Sequence, residues 1–125
     1  MVSNPDPNPA RPTEVCGVGA TLRIVSGKWK PLILWHLRNS PKRFGELRTL
    51  MVEVSDKVLS QQLRELDEDG LVDRAVSDDR PPKVTYTTSP EGRTMDPVLD
   101  AMSAWGQARI QRQGEAHAAD DSDKG

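Results

Sequence analysis

The chain has 125 residues, a formal net charge of −2 and a single cysteine. This length fits one domain with a modest core, and the lone cysteine excludes a disulfide framework within the chain. The sequence contains no apolar run of the roughly 18 residues needed to cross a membrane. Its first residues also lack the basic and apolar regions of a secretion signal. We therefore expect a cytoplasmic protein that does not associate with a membrane.

The small net charge hides a segregation of charge along the chain. Between Arg23 and Arg64 there are nine basic and three acidic residues, a surplus of six positive charges. Acidic residues are concentrated in residues 65–73 and 115–125 instead. A segregated positive segment suits contact with a polyanion such as DNA, even where the total charge is negative.

The two ends of the chain differ in composition from its middle. Residues 1–14 are rich in proline and asparagine and have no apolar period, which predicts a disordered arm. Residues 114–125 predict a disordered acidic tail. The folded domain is accordingly expected to span residues 15–113.

Three helices are predicted in the first half of this domain. The stretch GATLRIVSGKW predicts a short helix that ends near Gly27. KPLILWHLRNS predicts a second helix that is apolar almost all round, as in a buried central helix. Pro31 is expected at its first position, where a missing N–H costs nothing. FGELRTLM predicts a short amphipathic helix whose inward residues are Phe44, Leu47 and either Leu50 or Met51.

The segment SDKVLSQQLRELDEDGLVDR, residues 55–74, predicts the next helix. Ser55 is a suitable N-cap, and Gly70 can take the left-handed conformation that ends a helix near Asp69. At 100° per residue the leucines at 59, 63 and 66 fall on one face. The opposite face carries basic and uncharged polar side chains, namely Lys57, Ser60, Gln61 and Arg64.

A β-hairpin and a last helix follow. LVDRAV and KVTYTT predict two strands joined by SDDRPP. Ser89 and Pro90 predict the start of a long helix, which Pro97 should bend or delay. The chain is therefore predicted to be mainly α with a small β-hairpin. A short helix, a tight connector, a second helix and a hairpin together form a winged helix-turn-helix.

This architecture predicts double-stranded DNA as a partner. The second helix of such a motif lies in the major groove, where glutamine can pair with an adenine edge and arginine with guanine. Basic side chains can instead hold phosphates, which fixes position without reading sequence. Acidic residues at the far end of the helix would repel phosphate there and bias its N-terminal part toward the groove, namely Glu65, Asp67, Glu68 and Asp69. The predicted DNA-binding residues are Lys57, Ser60, Gln61, Arg64, Arg43, Arg80 and Lys83.

Four stretches in combination resemble the HxlR-type transcriptional regulators, relatives of the MarR winged-helix group. They are CGVGATLRIVSGKWKPLILWHL, RFGELRTLM, VSDKVLSQQLRELDEDGLVDR and PPKVTYTTSPEGRTMDPVLDAMSAWG. The resemblance covers Cys16 to Gly106 and departs at Gly17, where the family usually has proline.

The resemblance implies a homodimer that binds a pseudo-palindromic operator, with N- and C-terminal dimerisation helices. It implies a dimer interface formed by Leu22, Val98, Leu99, Met102 and Trp105. For any one residue of the last helix, packing within the chain is an equal alternative.

Cys16 leaves three interpretations open. It is a small packed residue at the start of a helix, a redox sensor, or a metal ligand. Some members of the resembled family form a disulfide between subunits at this place, and one cysteine per chain permits only that kind of disulfide. A helix N-terminus favours the reactive thiolate.

The sequence contains no complete catalytic or cofactor-binding motif. The Ser26-Gly27-Lys28 stretch lacks the preceding glycine and the following hydroxyl residue of a phosphate-binding loop. One cysteine and two distant histidines do not predict a metal site, and His36, in an apolar helix, is interpreted as a core or interface histidine. We expect no enzymatic activity, no cofactor and no metal.

Two functions remain after these exclusions. The first is a sequence-specific transcriptional regulator, a repressor acting as a homodimer and responding to a small-molecule or oxidant effector, with Cys16 as the sensor. The alternative is a winged-helix protein-interaction module without sequence-specific DNA binding, since a fold does not dictate a function.

Overall fold

The computed structural model describes residues 16–25 and 27–124, and the predicted arm of residues 1–14 lies outside the described residues. Within these ranges the chain forms six helices and three strands. In chain order they are α1 (Gly17–Ile24), α2 (Trp29–Leu37), β1 (Lys42–Arg43), α3 (Phe44–Leu50), α4 (Asp56–Glu68), β2 (Val72–Val76), β3 (Val84–Thr88), α5 (Pro90–Arg93) and α6 (Asp96–Lys124). The chain is thus mainly α with a small sheet, as predicted.

The core forms where α2 meets α3 and α4. The leucines predicted on one face of α4 are all buried, at positions 59, 63 and 66. Helix α2 contributes Ile33, Leu34 and Leu37, while Leu47 and Met51 close the core from α3 and the turn after it. Met51 rather than Leu50 therefore points inward. Burying one such side chain contributes about 2 kcal/mol, which strongly favours this one rotation of α4.

The sheet is antiparallel, with the strand order β1-β3-β2. The hairpin β2–β3 was predicted, and Val72 lies opposite Thr88 in its register. The third strand, β1, was not predicted because two basic residues carry no apolar alternation. At the hairpin tip the Ser77 hydroxyl accepts hydrogen bonds from the backbone N–H groups of Asp79 and Lys83. The tip of the wing is therefore an ordered turn.

Two helix boundaries differ from the prediction. Helix α1 ends at Ile24 rather than near Gly27, whose φ of 81° does not continue a helix. Pro31 occupies the third position of α2 rather than the first. This placement costs no intrahelical hydrogen bond, since the first four N–H groups of a helix have no partner within it.

The C-terminal part forms two helices separated by residues 94 and 95. Pro97 lies in the first turn of α6, so it delays that helix as predicted. Helix α6 then continues to Lys124, through residues that were expected to form a disordered tail. The segment contains three alanines, at positions 116, 118 and 119, and alanine favours a helix even where the sequence has no apolar period. Although α6 has 29 residues, no helix within the described ranges is long and apolar enough to cross a membrane.

An ion pair joins α6 to α2. Arg38 Nη1 lies 2.6 Å from Asp100 Oδ1, and the Arg38 guanidinium stacks 4.6 Å from the centre of the Trp35 ring. Leu99, which immediately precedes Asp100 on α6, is buried in the core at 3% exposure. The first turn of α6 is therefore fixed on the winged-helix domain.

A close approach of two backbone segments fixes the junction between α4, the sheet and α5. The Ser89 hydroxyl donates to the Gly70 carbonyl at 2.6 Å and accepts from the Gly92 N–H at 3.0 Å. A Cβ atom at Gly92 would overlap the Leu71 carbonyl oxygen and the Thr88 methyl group. Only glycine fits this position.

We therefore expect Gly92→Ala to destabilise the fold by about 3 kcal/mol, the upper range for forcing an extra carbon into a packed site. Urea denaturation at fixed protein concentration measures the change. The matched control is Gly114→Ala in α6, where a Cβ meets no atom within 4 Å. Gly114→Ala should keep or raise stability by up to about 1 kcal/mol. Equal stability of both variants and the wild type would contradict the packing described.

Candidate DNA-binding surface

Helices α3 and α4 form the helix-turn-helix. The turn between them ends at Ser55, whose hydroxyl accepts a hydrogen bond from the Val58 N–H at 3.1 Å and caps α4 as predicted. Arg48 Nη1 lies 3.1 Å from Asp56 Oδ2 and joins the two helices. Both side chains are exposed, so this pair contributes at most about 1 kcal/mol. Packing of the leucine face, rather than this ion pair, sets the angle between the helices.

All seven predicted DNA-binding side chains are exposed. Four lie on the face of α4 opposite its leucines, one lies at the start of α3, and two lie at the tip of the wing. They are Lys57, Ser60, Gln61 and Arg64, then Arg43, then Arg80 and Lys83.

Polar side chains on α4 are connected to one another. Gln61 Nε2 donates to Glu65 Oε2 at 2.8 Å, and Arg64 Nη1 donates to Gln61 Oε1 at 3.1 Å. The other oxygen of the Glu65 carboxylate lies 2.6 Å from the ammonium of Lys30 on α2. Two predicted DNA-binding residues are therefore held in place before any ligand arrives.

Lys30 and Glu65 were missed as contributors to this surface. Lys30 is buried, at 6% exposure, and a buried ammonium group requires a partner. Glu65 was assigned with its acidic neighbours to repel phosphate, but it neutralises this lysine instead. A lysine within an apolar helix and the four-residue spacing from Gln61 to Glu65 were the available signals.

The environment of Glu65 favours its charged form. Its pKa lies below the ordinary value of a glutamate, because the carboxylate accepts hydrogen bonds from Lys30 and then from Gln61. Glu65 is accordingly an ionised hydrogen-bond acceptor at neutral pH.

A polar groove separates α4 from the wing. It has a volume of about 310 Å³ and is lined by Ser60, Leu63, Arg64, Asp67, Arg74 and Tyr86. Arg74 lies on β2, opposite Tyr86 in the sheet register, and was not among the predicted residues. It brings a second guanidinium into the groove beside Arg64, and guanidinium groups suit phosphate geometry.

The predicted interface residues divide into two groups. Leu99 is buried within the chain, so packing in the core accounts for it. Val98, Met102 and Trp105 are exposed on α6 and Leu22 is exposed on α1, with exposures from 39% to 66%. Large apolar side chains exposed together are typical of an interaction surface.

Two further features lie on or beside these helices. The Cys16 thiol is free and exposed, immediately before α1. A cavity of about 320 Å³ lies between α2 and α6, lined by Pro31, Leu32, Trp35, Leu99, Met102, Ser103 and Gln107.

His36 is half-buried on α2. Burial lowers its pKa, with a smaller contribution from the positive charge of Lys42. Among the described residues no three histidine, cysteine, aspartate or glutamate side chains lie together as metal ligands would. Its partial burial agrees with the interpretation of His36 as a core or interface histidine.

The helix-turn-helix, the wing and the basic polar face define a winged helix-turn-helix protein. The HxlR-like helix-turn-helix family model matches residues 24–114. The chain belongs to this family, whose members are DNA-binding transcriptional regulators and not enzymes.

Individual relatives agree with this assignment. The chain is 47% identical over 95 residues to YtcD of Bacillus subtilis, covering 76% of this chain and 75% of that protein. It is 42% identical over 111 residues to YdeP of the same organism, covering 86% and 87%. Both are described as HTH-type transcriptional regulators.

Solved structures show the same fold. The crystal structure of YtcD superposes with a TM-score of 0.72 at 47% identity, over 75% of this chain and 96% of that one. The redox regulator HypR in its oxidised form superposes with a TM-score of 0.72 at 40% identity, over 74% of this chain and 96% of that one. The winged-helix prediction and the resemblance to HxlR-type regulators are confirmed.

The ion pair between Lys30 and Glu65 should make stability depend on acid pH. Because the pKa of Glu65 is lowered on folding, its contribution is complete above the ordinary glutamate pKa and is lost as pH falls through the lower folded value. Urea midpoints measured downward from about pH 5 should therefore fall more steeply for the wild type than for Glu65→Gln. The exposed Glu68 provides the control, since Glu68→Gln should keep the wild-type slope. Identical slopes for Glu65→Gln and the wild type would contradict the pairing.

Proposed function

We propose that this regulator is a repressor that binds a pseudo-palindromic operator as a homodimer, with the polar face of α4 in the major groove. The observation that carries this proposal is the exposed polar face of α4, set opposite three buried leucines. A rigid helix that presents glutamine, arginine and lysine outward is the arrangement by which a second helix reads base edges.

The side chains of this surface take different roles. Gln61 and Arg64, which are joined to each other, are proposed to read bases. Lys57 and Arg43 lie toward the N-terminal ends of α4 and α3 and are proposed to hold phosphates. Ser60 is small and allows the backbone of α4 to approach the groove. Arg80 and Lys83, at the tip of the wing, are proposed to contact the neighbouring backbone.

The homodimer is proposed from the exposed apolar side chains of α1 and α6. Val98, Met102 and Trp105 follow one another at intervals of four and three residues, so they share one face of α6. Leu22 supplies a further exposed apolar group on α1. Pairing such a surface with its copy removes it from water and presents two α4 helices to two half-sites.

Repression follows from occupancy. A dimer seated across an operator blocks access of polymerase to the same DNA, and it needs no contact beyond those with DNA and with its partner subunit. Glu68 and Asp69, at the C-terminal end of α4, follow the part of the helix that is proposed to enter the groove.

An effector is proposed to act near the start of α1. HypR, a structural relative, is described as a redox regulator and is known in reduced and oxidised forms. Cys16 is exposed in front of α1, where two subunits paired through α1 and α6 would bring their thiols into proximity. In the proposed step two thiols form one disulfide, and two electrons and two protons pass to the oxidant. The cavity between α2 and α6 offers a place for a small-molecule effector instead.

Removing the Arg64 guanidinium should weaken binding to the operator. We expect Arg64→Ala to lose about tenfold in affinity or more, as for one good contact to a base edge. If Arg64 holds a phosphate instead, the slope of log Kd against the logarithm of salt concentration should decrease by about one for each subunit. Fluorescence anisotropy with a labelled operator duplex at several salt concentrations measures both quantities.

The matched control is Arg112→Ala, which removes the same charge from an exposed position on α6. It should leave operator affinity close to that of the wild type. The assigned face is wrong if Arg64→Ala and Gln61→Ala both leave affinity and sequence preference unchanged.

Mild oxidation should link two chains through Cys16. Treatment with diamide, which takes up the two electrons and two protons, should produce a species of twice the chain mass on a gel without reductant. Cys16→Ser should prevent the link, and reductant should reverse it. Sedimentation of the reduced protein should already show a dimer, since the proposed interface does not depend on the disulfide. A wild-type protein that stays unlinked after diamide treatment would remove the redox proposal but not the DNA-binding one.

A further inference from the structure

The exposed amide of Gln61 is connected to a charge in the core. Lys30 is buried on α2 and lies 2.6 Å from Glu65 Oε1. Glu65 Oε2 accepts from Gln61 Nε2 at 2.8 Å, and Gln61 Oε1 accepts from Arg64 Nη1 at 3.1 Å. These contacts form one chain of four side chains that runs from the interior to the surface proposed to face DNA.

The chemistry of the neighbours fixes which way the amide points. An ionised carboxylate only accepts hydrogen bonds and a guanidinium only donates them. Glu65 must therefore take the Nε2 end of the amide, and Arg64 must take the Oε1 end. Rotating the amide by half a turn would set two acceptors against each other and two donors against each other. The lowered pKa of Glu65 keeps the carboxylate in its acceptor-only form at neutral pH.

The ion pair with Lys30 holds the Glu65 carboxylate in place and so stabilises the orientation of the Gln61 amide. A hydrogen bond between glutamine and glutamate four residues apart on an exposed helix is weak by itself. Here the carboxylate is anchored by a lysine that is fixed in the core, because a buried ammonium group is costly to leave unpaired. Glu65 therefore stays in one place, and the Gln61 amide has a fixed partner to point toward.

The locked amide retains one free N–H and one free carbonyl lone pair. These complement the acceptor N7 and the donor N6 of an adenine edge in the major groove. We propose that Lys30 and Glu65 are positioning residues that hold the Gln61 amide ready to read an adenine, and so set sequence preference without touching DNA. This inference rests on the proposed function, in which α4 enters the major groove.

The test begins with operator sequences selected from random duplexes by the wild-type protein. The position read by Gln61 is the one whose preference disappears in Gln61→Ala. At that position the wild type should favour adenine over the other bases by roughly tenfold, the discrimination of one bidentate pair. Glu65→Gln should reduce this ratio to near one, because its neutral amide can offer either end to Gln61.

Two further variants distinguish the positioning of Gln61 from a general change in charge or in affinity for DNA. Glu68→Gln removes the same charge from the next turn of α4 and should keep the full preference. In the Gln61→Ala background, Glu65→Gln should cause no further loss at this position, since the side chain that it orients is gone.

A third comparison separates positioning from folding. Glu65→Gln alone leaves Lys30 buried without a counter-ion, which lowers stability. Lys30→Met combined with Glu65→Gln removes both charges and should recover the urea midpoint, but it should not recover the preference for adenine. Recovery of both together, or a loss spread evenly over all operator positions, would overturn the proposal.

The orientation of the Gln61 amide can be measured in the free protein, independently of DNA binding. The side-chain NH₂ signals of Gln61 in a ¹⁵N-correlated NMR spectrum should be shifted and slow to exchange in the wild type. They should move toward free-glutamine positions in Glu65→Gln but not in Glu68→Gln. If the Gln61 signals are the same in Glu65→Gln as in the wild type, Glu65 does not fix the amide, even if the protein binds its operator. If the wild type shows these Gln61 signals but selects no DNA sequence, the proposed function is overturned. The adenine preference, which depends on that function, is then overturned as well.

Discussion

The burial of the leucine face of α4 against α2 is the constraint on which the rest of the structure depends. At 100° per residue, rotating α4 by a single position in either direction would bring Ser60 or Gln62 toward the core and expose leucines. Each leucine contributes about 2 kcal/mol by its burial, while an unpaired buried amide would cost a comparable amount. The apolar face therefore decides which side chains α4 presents outward, and the surface that we propose binds DNA is a consequence of the core.

The Lys30–Glu65 pair is better explained by geometry than by stability. Replacing a buried ion pair with apolar residues of similar size is often neutral or stabilising, so a fold that needed only stability would not require it. What the pair provides is a fixed carboxylate at the edge of the polar face of α4. Core packing sets the rotation of the helix, and the ion pair sets the orientation of one side chain on it.

Local signals in the sequence predicted the elements well, because those signals act within a few residues. Ser55 caps α4 and Gly70 takes a positive φ as expected, and the leucine period identified the buried face. The predicted end of α1 and the predicted place of Pro31 were both wrong by a turn or less. For Pro31 the reason is that the first turn of a helix tolerates proline at several positions. The length of α6 was not predicted because its last residues, 114–124, carry no apolar period.

Contacts between distant segments could not be predicted in the same way. Lys30 and Glu65 are 35 positions apart and meet only once α2 packs on α4. Arg74 joins Arg64 in one groove only because the sheet places β2 beside α4. Leu99 and Met102 look alike in sequence, yet one is in the core and the other is exposed. Strand β1 pairs with β3 across more than 40 residues and is too short to show a pattern.

We propose above all that this surface recognises a particular DNA sequence. The most direct measurement is an anisotropy titration of the reduced wild-type protein with its selected duplex and with a scrambled duplex of equal length and composition, each at two salt concentrations. We predict tight binding to the selected duplex, much weaker binding to the scrambled one, and a steep loss of affinity for both as salt rises. Equal affinities for the two duplexes, or no binding at low salt, would contradict this proposal.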